Sequence, residues 1–215
     1  TSRERVLAAL NHQPPDRVPL DLSGHRSSGI AAVAYARLRK HLGLPETEKI
    51  ILFFGFIRKY KGLDLLLEAM SDEQIKKSGI KLLVSGEFYE DQKPYKDQIE
   101  KLGIKNQLIL RTDFIPDSEV KYYLCAADAV IQPYRNATQS GVTPLAYHFE
   151  KPMVVTNVGG LPSLVPDEKV GLVVEPDPQA IANGILKFYQ LGENYFNPHL
   201  RNEKQKYSWA NLVKA

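Results

Sequence analysis

Three cations stand together in FFGFIRKYKGLDLLLEAM (Phe53–Met70), where Arg58, Lys59 and Lys61 separate an apolar run from a helix-period segment. Cations in a loop between a strand and a helix can meet an anion at the carboxyl edge of a sheet. An arginine offers phosphate oxygens a bidentate fork, and a lysine offers a mobile point charge. The loop is neither GxxxxGK[ST] nor GxGxxG, so neither common nucleotide fingerprint accounts for it. Arg58 and Lys61 are the candidates, with Gly55 ending the strand and Gly62 releasing the helix. The competing reading is a solvated basic loop. A second candidate lies in PYRNATQSGVTPLAYHFEKPMVVTNVGGLPSLV (Pro133–Val165). Here Gln139, Ser140 and Gly141 precede a helix read over Val142–Phe149, with Thr143 in its first turn. Free backbone N–H groups at a helix start, backed by the helix dipole, suit a phosphate, and Gly141 lets a ligand approach the backbone. A third loop, Val158-Gly159-Gly160, follows the next predicted strand on the same edge. Three such loops on one edge, one of them basic, point to a diphosphate ligand.

Those loops need a scaffold, and the hydrophobic pattern supplies one. From about Lys49 onward, β-rich runs alternate with helix-period segments. The predicted strands are Ile50–Phe54, Ile80–Ser85, Leu108–Arg111, Ala129–Ile131, Met153–Thr156 and Gly171–Val174. Several are continuously apolar, as strands of a parallel sheet covered on both faces must be. Leu63, Leu66, Leu67 and Met70 recur at helical spacing, as do Val120, Tyr123, Leu124 and Ala127, and Asp117 is placed to cap the second set. Right-handed crossovers then wind an α/β, Rossmann-like doubly wound parallel sheet, whose ligands bind at the carboxyl ends of the strands.

Composition limits the remaining possibilities. A chain of 215 residues with 43% hydrophobic content can bury a core. Its apolar runs fall far short of the roughly 20 residues of a membrane span, and no secretory signal is read at the start. These features predict a cytoplasmic protein with at most peripheral membrane contact. The net charge of +3, spread over interspersed acids and bases, does not call for nucleic acid. Cys125, the single cysteine, excludes an intramolecular disulfide and reads as a buried structural thiol. His12, His25, His41, His148 and His199 lack metal-ligand spacing and there is no Asp-x-Asp motif, so no metal and no cofactor is expected. His148 is read as a packing residue.

From about Leu44 onward the chain resembles the C-terminal, nucleotide-sugar-binding domain of GT-B fold retaining glycosyltransferases of the large family four group. The resemblance is carried, in the family's order, by FFGFIRKYKGLDLLLEAM, KLLVSGEFYED, LRTDFIPDSEVKYYLCAADAVIQPY, ATQSGVTPLAYHFEKPMVVTNVGGLP and LRNEKQKYSWANLV. It implies transfer of a sugar from a nucleotide-diphosphate donor with retention of anomeric configuration. It also assigns roles: Lys61 to the donor diphosphate, Arg58 as its companion, Ser140, Gly141 and Val142 to the distal phosphate and sugar, and the backbone around Phe114 and Ile115 to the base. Charge growing on the departing diphosphate is what such donors stabilise. The sequence also departs from the family. Phe56 stands where an arginine commonly follows the first-loop glycine. Ala137 and Leu145 lie near the positions of the family's paired glutamates, and Ser163 replaces another. Glu87 is the candidate substitute for the carboxylate that holds the donor ribose.

The opening segment, TSRERVLAALNHQPPDRVPLDLSGHRSSGIAAVAYARLRKHLGL, resembles instead the start of the uroporphyrinogen decarboxylase superfamily. It reads as a short helix, an extended segment and a second helix over Gly29–Leu42, ending at Gly43. The expected organisation is therefore a helical extension over 1–43 joined to a donor-binding domain over 44–215, as in a chimera. Arg26 and His25 would be relics without function. GT-B enzymes work in a cleft between two domains, so this chain is expected to bind a nucleotide sugar without turnover alone. Tyr195, Phe196, Tyr207 and Trp209 would expose an apolar patch inviting self-association, or contact with an acceptor domain. The alternatives left open are a fragment of a decarboxylase-like enzyme and a non-catalytic α/β interaction module.

Overall fold

The computed structural model describes residues 36–44 and 47–205. The chain divides into two compact units between Thr47 and Glu48. In the first, a helix over 36–41 closes at Gly43, where φ is 63°. The Gly43 N–H donates to the Lys40 carbonyl (3.0 Å) and the Leu44 N–H to the Arg39 carbonyl (2.7 Å), the paired bonds of a glycine-terminated helix. The earlier helix and extended segment, with His25 and Arg26, lie outside the described residues.

The second unit is a six-stranded parallel sheet in the order β3-β2-β1-β4-β5-β6. Its strands are β1 (Lys49–Phe54), β2 (Ile80–Ser85), β3 (Leu108–Arg111), β4 (Ala129–Gln132), β5 (Met153–Thr156) and β6 (Gly171–Val174). Four coincide with the predicted runs and two extend them by one residue, Lys49 and Gln132. The helices are α1 (Leu63–Met70), α2 (Glu73–Ser78), α3 (Lys93–Leu102), α4 (Asp117–Ala126), α5 (Val142–His148), α6 (Leu161–Leu164), α7 (Pro178–Leu191) and α8 (Glu193–Lys204). The chain reverses direction across the sheet between β1 and β4, which are neighbours, so the doubly wound fold has its switch point there.

Continuous apolar runs make this sheet. Ile50, Ile51, Leu52, Leu82, Leu83, Val84, Ala129 and Val130 are all fully buried, as two covered faces require. Helix α1 turns Leu63, Leu66, Leu67 and Met70 inward and packs on α3 and α7. Each such side chain contributes about 1.5–3 kcal/mol. Helix α8 packs against α5 and α7. Phe196, expected in an exposed patch, is buried against Phe188 with ring centroids 5.8 Å apart. Only Tyr195 of that expected patch is described as exposed, and Tyr207 and Trp209 lie outside the described residues. Asp117 does not cap α4. Pro116 takes the cap position and Asp117 sits in the first turn, where its charge faces the positive end of the helix dipole. Among the described residues, no helix is long and apolar enough to cross a membrane.

Candidate functional site

The loops after β1 and β4 meet because glycine lets them. Gly62 has φ 66°, and a Cβ there would sit 2.0 Å from the Pro133 carbonyl oxygen, so any larger residue would push the loops apart. The Arg135 N–H donates to the Tyr60 carbonyl (2.7 Å), and the Arg135 guanidinium pairs with Asp64 (2.6 Å). The rings of Tyr60 and Tyr134 meet edge to face, 6.1 Å apart. The loop after β2 holds the first loop from its other side. Ile57 N–H donates to the Glu87 carbonyl (2.7 Å), Tyr89 N–H to the Ile57 carbonyl (3.1 Å) and Lys59 N–H to Glu90 Oε1 (2.6 Å).

Lys61 is the central feature of this arrangement. Only 8% of it is exposed, it forms no ion pair among the described residues, and its Nζ lies 5.8 Å from the centre of the Tyr134 ring. A Cβ on Gly55 would lie 3.0 Å from that Nζ and 3.7 Å from Val142 Cγ2, so the ammonium sits beside the end of β1 and the start of α5. Burial, and then the positive charge of Arg58, lower its pKa from 10.5 to about 8. Arg58 itself is exposed, with its guanidinium stacked 4.8 Å from the Tyr89 ring centre, and likewise forms no ion pair among the described residues. Two neighbouring cations that repel each other and lack a carboxylate partner favour an anion between or beside them.

The β4–α5 loop behaves less uniformly than its sequence suggests. Ser140 is buried, and its hydroxyl turns inward to donate to Gln132 Oε1 (2.6 Å) and to accept from the Val142 N–H (3.2 Å). The Thr143 hydroxyl also donates to Gln132 Oε1 (3.1 Å). These side chains therefore build the turn, and the groups left facing outward are the backbone at Gly141 and the exposed Gln139. Gly141 has φ −66°, and a Cβ on it would meet nothing within 4 Å, so the open space lies outside the protein. The third loop proves to be a support. A Cβ on Gly159 would lie 1.8 Å from the Ala137 carbonyl and one on Gly160 2.5 Å from that of Thr138, while the Gly160 N–H donates to Ala137 (3.0 Å). The expectation that Val158–Gly160 itself faces the ligand is thus replaced by a role in holding the second loop.

Phe114 and Ile115 follow β3 on the same edge. Phe114 is 67% exposed, the most open large apolar side chain of the described residues, and it follows an edge strand that pairs with β2. Glu87 is half-buried and contributes its carbonyl to the Ile57 N–H, while its carboxylate forms no ion pair among the described residues. Gln132 and Tyr134 were not anticipated. The one signal for Gln132 was a polar residue ending the apolar run Ala129–Ile131. Cys125 is half-buried, and burial pushes its thiol up, away from a reactive thiolate. His148 is exposed and sets its ring edge-on to Phe149 (4.8 Å). Among the described residues no cluster of His, Cys, Asp or Glu could hold a metal. A cleft of about 300 Å³ beside β6 and α7 shares no residue with these loops.

Comparison with known proteins bears on the same segments. The sequence profile of "Glycosyl transferases group 1" matches residues 35–206. A D-inositol 3-phosphate glycosyltransferase of Segniliparus rotundus is 33% identical over 78% of this chain, and the chain covers 37% of it. The chain spans less than half the length of the curated relatives it matches. Anabaena HepE in complex with UDP-glucose superposes with a TM-score of 0.71 at 20% identity, over 85% of this chain and 50% of that one. The C-terminal domain of a glycosyl transferase group 1 protein, LpcC, from Francisella tularensis superposes with a TM-score of 0.67 at 21% identity. That alignment covers 80% of this chain and 89% of the other. The decarboxylase resemblance finds no support, and the matched region already begins inside residues 1–43. With a profile match over most of its length, the chain belongs to the glycosyl transferases group 1 family.

Proposed function

We infer that this chain is the nucleotide-sugar donor-binding domain of a retaining, GT-B type glycosyltransferase. The observation that carries the reading is Lys61, a buried ammonium without an ion-pair partner among the described residues, placed at the switch point where β1 and β4 diverge. A buried charge left unpaired costs folding stability, and a diphosphate would supply the missing counter-charge. Lys61 and Arg58 take the diphosphate, assisted by the backbone of Gly55 and of Gly141–Val142. Gln139 faces the sugar, Ser140 and Thr143 shape the turn, and Phe114 and Ile115 flank the base. Glu87 is the group available to the ribose. HepE, whose complex contains UDP-glucose, shares the fold and supports a donor of that chemical class.

As the sugar–phosphate bond breaks, negative charge grows on the diphosphate. Lys61, buried and already in place, and the exposed Arg58 beside it stabilise that charge, and loss of one such donor commonly costs roughly 3–4 kcal/mol. No metal ligand set is needed for this chemistry. Transfer also requires an acceptor-binding half, so we expect donor binding by this chain and no turnover without such a partner domain. The proposed setting is cytoplasmic.

The test is calorimetric titration of UDP and GDP, with and without attached sugars, into this chain and into Lys61→Ala. Dissociation constants in the micromolar to millimolar range, roughly −8 to −4 kcal/mol, weakened about tenfold or more in the variant, are expected. A folded chain that binds none of these nucleotides would leave the fold and family standing and reduce the function to a non-catalytic module.

A further inference from the structure

We propose that Gln132 is a positioning residue of the diphosphate site, acting through Ser140 and Tyr134 on the place where Lys61 rests. The inference builds on the donor-binding reading and adds residues that lie under the loops and do not themselves face the ligand.

Gln132 ends β4, is 1% exposed, and is the polar residue of an otherwise apolar strand. Its Oε1 accepts two hydrogen bonds, from Ser140 Oγ at 2.6 Å and from Thr143 Oγ1 at 3.1 Å. Those donors stand on either side of Gly141 and Val142, so one carbonyl oxygen pins both flanks of the turn that opens α5. The Gln132 Nε2 group contacts Met153 Sδ at 3.6 Å, which fixes the amide's orientation from the neighbouring strand. Ser140 Oγ also lies 3.3 Å from the Tyr134 hydroxyl. Tyr134 is 3% exposed, and its carbonyl accepts from Thr156 Oγ1 at 2.6 Å. Its ring then lies under Lys61 Nζ at 5.8 Å, within cation–π range.

The chain of contacts runs from Gln132 through Ser140 to Tyr134 and on to Lys61. An aromatic face holds an ammonium without neutralising it, as a carboxylate would. The arrangement therefore keeps a full positive charge available to a diphosphate while fixing its location. Every link is buried, where a lost acceptor leaves hydroxyl donors unsatisfied, so a change at Gln132 reaches the site by shifting the turn.

The experiment compares Gln132→Leu, Lys61→Ala and the double variant, titrated with whichever of UDP and GDP the wild-type chain binds and with the matching monophosphate. Circular dichroism reports folding. Gln132→Leu should weaken the diphosphate about tenfold and the monophosphate no more than about twofold, and should add less than about threefold in the Lys61→Ala background. If Gln132→Leu does not fold, Ser140→Ala combined with Thr143→Val removes the same two hydrogen bonds from the other side and should give the same pattern. Equal weakening of both nucleotides, additivity with Lys61→Ala, or no weakening would each overturn the positioning role while leaving donor binding intact. Wild-type chain that binds neither nucleotide would overturn the donor-binding reading itself, and this inference with it.

Discussion

Two buried charges sit at opposite ends of the same sheet and are treated in opposite ways. Asp128, 1% exposed at the amino end of β4, accepts from the Ile50 N–H and from the Tyr189 hydroxyl, each at 2.9 Å. Lys61, 8% exposed at the carboxyl end of β1, lies by an aromatic face and a second cation and forms no ion pair among the described residues. A third buried charge, Lys151, follows the first pattern, with Glu193 at 3.5 Å. Where a charge holds the fold together, the protein satisfies it. At the proposed donor site the charge stays unpaired among the described residues, and the free protein bears its desolvation cost.

Substitutions at the two ends should separate stability from binding. Lys61→Met should weaken diphosphate affinity about tenfold or more, as Lys61→Ala does, and should also raise stability by about 2 kcal/mol. Paired titration and denaturant unfolding check both, and a variant that loses stability would erase the contrast. Asp128→Ala should do the reverse. It strands the Ile50 N–H and the Tyr189 hydroxyl, so about 2–3 kcal/mol of stability should go while nucleotide affinity at saturating fold stays within about twofold.

A smaller effect comes from pH. The folded pKa of Lys61, about 8, lies below its ordinary 10.5. Between those values the unfolded chain holds the proton more often than the folded one, so the Lys61 contribution to stability improves as pH rises from about 8 to 10.5. An anion prefers the charged lysine, so diphosphate affinity should fall over the same range, by at most about tenfold per pH unit. Titration at several pH values measures it, and an affinity flat from pH 7 to 9.5 would remove Lys61 from the site. Smallest of all, Glu87→Gln should weaken a full nucleoside diphosphate about two- to fivefold and inorganic pyrophosphate not at all, if its carboxylate meets the ribose.

The same contrast explains what could be read in advance. All six strands were legible because a parallel sheet covered on both faces demands continuous apolar runs, and Ile50–Phe54 or Met153–Thr156 cannot be much else. Lys61 was legible as a loop cation, though not as a buried one. Ser140 and Thr143 were read as ligand contacts, yet their hydroxyls point inward because Gln132 offers a buried acceptor. Gly159 and Gly160 were read as a phosphate loop because glycine after a strand suits a ligand or a neighbouring backbone equally well. Here the neighbour is the 137–138 backbone.

By itself, then, the sequence determined the alternation of strands and helices, the apolar faces and the edge on which the cations emerge. These follow from side-chain periodicity and from glycine's freedom at turns, which act over a few residues. Tertiary structure decided which cation is paired and which is not. Arg135 finds Asp64 across 71 positions, whereas Lys61 is buried beside Tyr134 with no carboxylate within reach among the described residues. Pairing depends on groups brought together from distant strands, and local pattern carries no record of that distance.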